Sequence, residues 1–191
     1  MGGCRCGSKR VIDMGVYELY TVKRDSTTMP LPKNVPSGDF PNGAGNIDPF
    51  KSYSDMFTGE ALSQKNTEFV WGRISSNVRN YTRHAFPIDN LGGWNGMAIP
   101  QKIVDAYYMV DGRDINNSSE EYPYSEIGFS SEKQSFSGYQ LNNGVYNMYM
   151  NREMRFYASI GFSECFWPCL STSESGRRNQ RITYFKGGNS G

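Results

Sequence analysis

At 191 residues the chain has the length of about one domain and can bury a core. Its hydrophobic fraction of 37% is low, and Gly, Asn, Ser and Tyr are abundant, which points to much irregular backbone with aromatic rings covering surface. A formal charge of +1 gives no basic excess for a nucleic-acid backbone, and no apolar run approaches the roughly twenty residues of a transmembrane helix.

The opening "MGGCRCGSKR" has positive charge but no apolar segment after it, so it does not read as a secretion signal. Gly2, Cys4 and Cys6 hint at acylation, yet Cys6 stands where myristoylation wants Ser or Thr. Cys4 and Cys6 form C-x-C; Cys165 and Cys169 form C-x-x-x-C. Neither is a zinc knuckle, and His84 is the only histidine, so no metal and no cofactor is expected. The basic run Arg177, Arg178, Arg181, Lys186 and the acidic run Glu120, Glu121, Glu126, Glu132 read as solvated faces.

In chain order, residues 9–20 look like the end of a helix, with Val11, Ile12 and Met14 on one stripe and Gly15 as its stop. Five prolines between 25 and 49 predict a loop. Residues 50–60 fit one or two helical turns with Phe50, Tyr53 and Phe57 on one face. Phe69, Val70, Trp71 and Ile74 favour an extended segment. Residues 77–98 read as a loop holding Arg79, Tyr81, His84 and Trp94. The clearest helix starts at Pro100, carries Ile103, Val104, Tyr107 and Tyr108, and ends at Gly112.

A weaker helix is expected over 141–151, with Leu141, Val145 and Met148 on one face. From Arg155 the period becomes two, which predicts a strand: Phe156, Ala158, Ile160 and Phe162 point one way, and Arg155, Tyr157, Ser159 and Gly161 the other. A second strand is expected at 181–186. At the junction, Arg152 would sit at a helix C-terminus and Glu153 would satisfy one or both guanidiniums, making a structural clasp.

"IPQKIVDAYYMVDGRDI" and "NREMRFYASIGF" together resemble motifs of the SusD/RagB family, surface nutrient-binding lipoproteins of Bacteroidetes. The matching positions are Pro100, Val104, Asp105, Ala106, Tyr107, Met109, Asp111 and Gly112, then Asn151, Arg152, Glu153, Arg155 and Phe156. "FKSYSDMFTGEALSQKNTEFVWGR" resembles the family segment that precedes a Gly-Trp loop, here Gly93-Trp94. The resemblance covers roughly residues 10–191. Met154 stands where the family usually has proline, so the preceding helix is expected to end less sharply.

This resemblance implies a mainly α fold with extensive loops and a few short strands, part of a SusD-like, tetratricopeptide-like α-superhelix. Well over half of a typical member has no counterpart, so residues 1–191 are expected to be one partial domain with an atypical, disordered start at 1–10. The implied function is non-catalytic capture of an oligosaccharide or similar nutrient at the outer-membrane surface, for delivery to a SusC-like TonB-dependent transporter. Such binding needs flat rings for the apolar faces of sugars and amide or guanidinium groups for hydroxyls. Trp94, Tyr81, Trp71, Arg79 and Asn95 are the candidate binding residues, Trp94 foremost because of its glycine-rich neighbourhood.

The alternative is a glycoside hydrolase or other carbohydrate-active enzyme. That requires two carboxylates across a sugar site, whereas Glu120 and Glu121 are adjacent and face opposite ways in an extended segment. A Cys165–His84 nucleophile pair lacks an oxyanion motif. "DGRDINNSSEE" alternates like a calcium loop at Asp114, Asn116, Ser118 and Glu120, but Ser119 and Ser125 replace the required glycine and closing glutamate.

Overall fold

The computed structural model describes residues 9–58, 61, 65–72, 78–88, 92–168 and 173–191. Among these, helices are few and short, two antiparallel strand pairs are present, and irregular backbone connects them. The loops and short strands match the expectation; helix does not predominate as foreseen.

Helix α1 (residues 9–13) ends at Gly15, which adopts the left-handed φ of +61° that a helix stop demands. Its Ile12 and Met14 stay exposed. The atypical start at 1–8, with Cys4 and Cys6, lies outside the described residues. The proline-rich loop is tied down by Asp48, whose side chain is fully buried. Thr28 and Ser137 donate their hydroxyls to its Oδ2 at 3.0 and 2.7 Å, while Oδ1 accepts the Lys51 N–H at 3.0 Å. This last bond caps α2 (Pro49–Thr58), which Pro49 opens. Of the stripe foreseen there, Phe50 enters the core, but Phe57 lies against Tyr53 at 5.1 Å and remains largely exposed.

Residues 66–72 form no strand, and Phe69, Val70 and Trp71 are exposed; Ile74 lies outside the described residues. Helix α3 (Val78–Ala85) occupies the first part of the expected 77–98 loop. Helix α4 (Gln101–Asp105) is shorter than the motif foretold: Val104 is buried, Ile103 and Tyr108 face solvent, and the chain turns at Gly112, φ +81°. Strands β1 (Gln134–Phe136) and β2 (Tyr139–Leu141) form a hairpin through Ser137 and Gly138. Both have positive φ, 52° and 83°, as a primed two-residue turn requires.

The helix foreseen at 141–151 is not formed. Leu141 ends β2, Gly144 turns the chain at φ +88°, and a single 3-10 turn spans Asn147–Tyr149. Leu141, Val145 and Met148 are nevertheless all buried. A core-facing set can therefore be right while the backbone that carries it is misjudged.

The strand expected at 155–162 is instead helix α5 (Met154–Ser159) followed by an extended exit. Tyr157 decides the matter. Strand alternation puts it in water, but it is buried, because its hydroxyl accepts the Arg152 N–H at 3.0 Å and donates to Tyr149 O at 2.9 Å. With both lone-pair and proton used, an amphipathic ring enters the core at little cost. Arg155 and Ser159, four apart, then share the exposed helical face. Met154 is the first residue of α5, so the position where the family uses proline opens a helix rather than ending one. Strand β3 (Cys165–Trp167) pairs with β4 (Gln180–Ile182), which overlaps the expected 181–186 strand only at its start. The core gathers Phe136, Leu141, Val145, Phe156, Cys165 and Ile182, with α2 packed on α5.

The clasp exists, in altered form. Arg152 is fully buried and has no ion pair among the described residues. Its Nη2 donates to Val104 O at 2.6 Å and Tyr107 O at 2.9 Å, and its Nη1 to Met148 O at 3.3 Å. Val104 lies in the last turn of α4 and its carbonyl also accepts the Tyr107 N–H at 3.4 Å, so Arg152 adds a second bond to the end of that helix from 48 residues away. The rings of Phe156 and Tyr124 lie 5.0 and 5.6 Å from the guanidinium. Desolvation holds its pKa below the usual arginine value, without discharging a group this basic. Of the two guanidiniums Glu153 holds that of Arg155, in a fork at 2.8 and 2.9 Å, and it also accepts the Tyr108 N–H at 3.0 Å. Backbone bonds from Val110 N–H to Asn151 O (2.8 Å) and Glu153 N–H to Tyr108 O (3.0 Å) complete the junction. The two sequence motifs thus meet as one structural unit.

Candidate functional site

The sequence V-R-N-Y-T-R-H-A has no apolar stripe, so α3 owes its existence to what closes its end. Residues 92–97 lie across that end and donate to its otherwise unused carbonyls. Trp94 N–H reaches Arg83 O at 2.7 Å, Met97 N–H reaches His84 O at 3.0 Å, and Asn95 N–H reaches Phe86 O at 3.2 Å. The approach needs glycine: a Cβ on Gly93 would strike the Phe86 carbonyl, and one on Gly96 the His84 ring.

Trp94 is thereby held with 47% of its surface exposed. The Arg83 guanidinium lies over its ring at 5.2 Å, and His84 meets it edge-on at 4.9 Å and 84°. Asn95, at φ +48°, donates its side-chain amide to Ser190 O. Arg79 lies one turn before Arg83 on the same side of α3 and is exposed. Tyr81 is 65% exposed and Trp71 78% exposed, and neither makes a ring contact with Trp94 among the described residues. The fold therefore gathers Trp94, Arg83, His84 and Asn95, and leaves Trp71 and Tyr81 as separate open rings. Sequence reading missed Arg83, because nothing in its spacing announces that a tryptophan eleven residues later will fold back on it.

The arrangement offers an indole flanked by a guanidinium, suited to the apolar face and hydroxyls of a sugar. Cys165 and His84 do not make a nucleophile pair. Cys165 is buried in the core and desolvation pushes its thiol up to about 12, the opposite of activation, while His84 is exposed against Trp94. Cys169 lies outside the described residues. In the calcium-like loop, Asp114 accepts the Asn116 and Asn117 N–H groups and the Asn117 amide, which holds its pKa below the usual carboxylate range. It acts as the cap of the 3-10 turn Ile115–Asn117. Glu121 pairs with Lys33 at 3.4 Å. Among the described residues no cluster of three or more His, Cys, Asp or Glu is placed to hold a metal ion, and no helix is long and apolar enough to cross a membrane.

The model of the SusD family matches residues 67–190, which includes α3, the Gly-Trp loop and both halves of the clasp. The chain belongs to the SusD family. No curated protein and no solved structure matches it. For this SusD family chain, the match places the capped Trp94 loop and the Arg152 junction inside the shared region, and the α1, proline-loop and α2 segments before it.

Proposed function

We propose that this SusD family protein captures an oligosaccharide or similar nutrient without transforming it. Its setting is the outer-membrane surface, and its partner is a SusC-like TonB-dependent transporter that receives the ligand. Family members are generally non-catalytic binding proteins, which supports the reading over a carbohydrate-active enzyme. Residues 1–191 are then one partial domain, and its short helices belong to a tetratricopeptide-like α-superhelix.

The observation that carries the proposal is the half-open Trp94 ring, fixed by the cap on α3 and flanked by Arg83. A rigid, partly covered indole has little entropy left to lose on stacking against a sugar. Trp94 is the platform, and Arg79, Asn95, Tyr81 and Trp71 are the further contacts of the proposed binding surface. Affinity electrophoresis on immobilised glycans tests this directly. Trp94→Ala should weaken retention about tenfold, the scale of one lost aromatic contact, with an unchanged circular dichroism spectrum. Unchanged retention would remove Trp94 from the site, and release of shorter sugars on prolonged incubation would overturn the non-catalytic reading.

A further inference from the structure

Helix α3 holds two arginines that the fold leaves without a counter-charge. Arg79 and Arg83 are four residues apart, so their side chains neighbour each other on one side of the helix. Like charges at that spacing repel, and Arg79 stands in the first turn, where the helix dipole also opposes a cation. That turn contains no acidic residue, and neither arginine has an ion pair among the described residues. With His84 neutral, residues 78–88 and 92–100 carry these two positive charges and no Asp, Glu or Lys, in a chain whose net charge is only +1. A guanidinium kept for solubility would stand clear of the surface. Arg83 is instead half-buried over the Trp94 ring, and its N–H groups reach no acceptor among the described residues.

This unbalanced charge separates one class of sugar from another. A neutral sugar laid on Trp94 would strip water from the Arg83 fork and return only hydroxyl oxygens, with the two arginines still repelling each other. A carboxylate or sulfate on the sugar accepts two parallel N–H bonds from one guanidinium and offsets the charge of the second. A bare anion would leave the half-open indole unused. We infer that the Trp94 surface selects acidic saccharides, with a sugar ring on the indole and its carboxylate or sulfate ester held by Arg83 and Arg79. This ligand class rests on glycan capture at Trp94 and adds the charge that the captured sugar carries.

Affinity electrophoresis of the full chain can compare glycans that differ only in charge. One pair is polygalacturonate and its methyl ester; the other is a sulfated galactan and its desulfated form. The acidic member of at least one pair should retain the chain about tenfold more strongly than its neutral partner, and the pair that does so tells carboxylate from sulfate. Raising sodium chloride from about 0.05 to about 0.5 M should erase the difference. Arg83→Gln should weaken retention by the acidic glycan about tenfold. Should that variant lose its circular dichroism, the exposed Arg79→Gln serves instead, with a loss of about threefold. Lys133→Gln removes the same charge from the segment before β1 and should change nothing. Retention insensitive to both arginine variants, or equal retention by poly-L-glutamate, which offers charge without a sugar ring, would overturn the proposal. Retention by the neutral members alone, or by none of the four glycans, would overturn the acidic class and leave capture of other sugars standing. The capture site itself falls by a different result, retention that survives Trp94→Ala, so the two readings fail separately.

Discussion

Arg152 joins separate parts of the chain with one buried side chain. Its guanidinium serves three backbone carbonyls from two distant segments and has two aromatic rings against it. A lysine has no planar fork and satisfies at most part of that set, leaving buried carbonyls unpaired at about 1–3 kcal/mol each. Arg152→Lys should therefore destabilise the chain by about 2–4 kcal/mol, measured by urea unfolding. A loss below about 0.5 kcal/mol, the range of ordinary surface changes, would show that the carbonyls find water instead. From the sequence, the clustering of Arg152, Glu153 and Arg155 already marked a structural clasp. Which charge met which group was not legible, because backbone carbonyls carry no sequence signature: of the one or both guanidiniums expected on Glu153, that of Arg155 is there, in a fork, while Arg152 turns to carbonyls.

At the scale of elements, α3 shows how a weak helix is held by its closure. Its last carbonyls are satisfied by the backbone of the Gly-Trp loop, and Gly93 permits the approach. Gly93→Ala forces its Cβ against the Phe86 carbonyl, so the loop must shift or the cap must open. The expected cost is about 1–3 kcal/mol, as for other overpacked sites, with a red shift of the Trp94 emission as the ring leaves Arg83 and His84. An unchanged melting temperature and emission maximum would refute the cap. Some features were readable because their signals are local: the glycine stop at Gly15, the left-handed turn at Gly112, and the helical turns from Phe50. Others were not. Tyr157 turned an apparent strand into α5 through two hydrogen bonds made to Arg152 and Tyr149, and the 141–151 stripe was buried by a hairpin end and a 3-10 turn rather than by a helix.

For the whole molecule, Cys165 is a built-in reporter. It is 1% exposed within the central cluster, and burial pushes its thiol up to about 12. Alkylation needs the thiolate and access to it, so at neutral pH Cys165, told apart from Cys169 by fragmentation of their shared peptide, should stay unlabelled by iodoacetamide while the chain is folded. Labelling should appear in step with loss of circular dichroism as urea is raised. Labelling of Cys165 in the native protein at the rate of a free thiol would mean that the core around Phe136, Phe156 and Ile182 does not close as described.

What the sequence by itself determined is the set of residues: which glycines turn the chain, which side chains are buried at 141–148, and which motifs mark the family. Only the tertiary structure decided how they are joined. It placed the indole of Trp94 under Arg83 and brought the two motifs together at Arg152. The physical reason is that local conformational preference is written in neighbouring residues, whereas these contacts join carbonyls, rings and strand edges that are distant along the chain and are chosen by mutual hydrogen-bond satisfaction on burial.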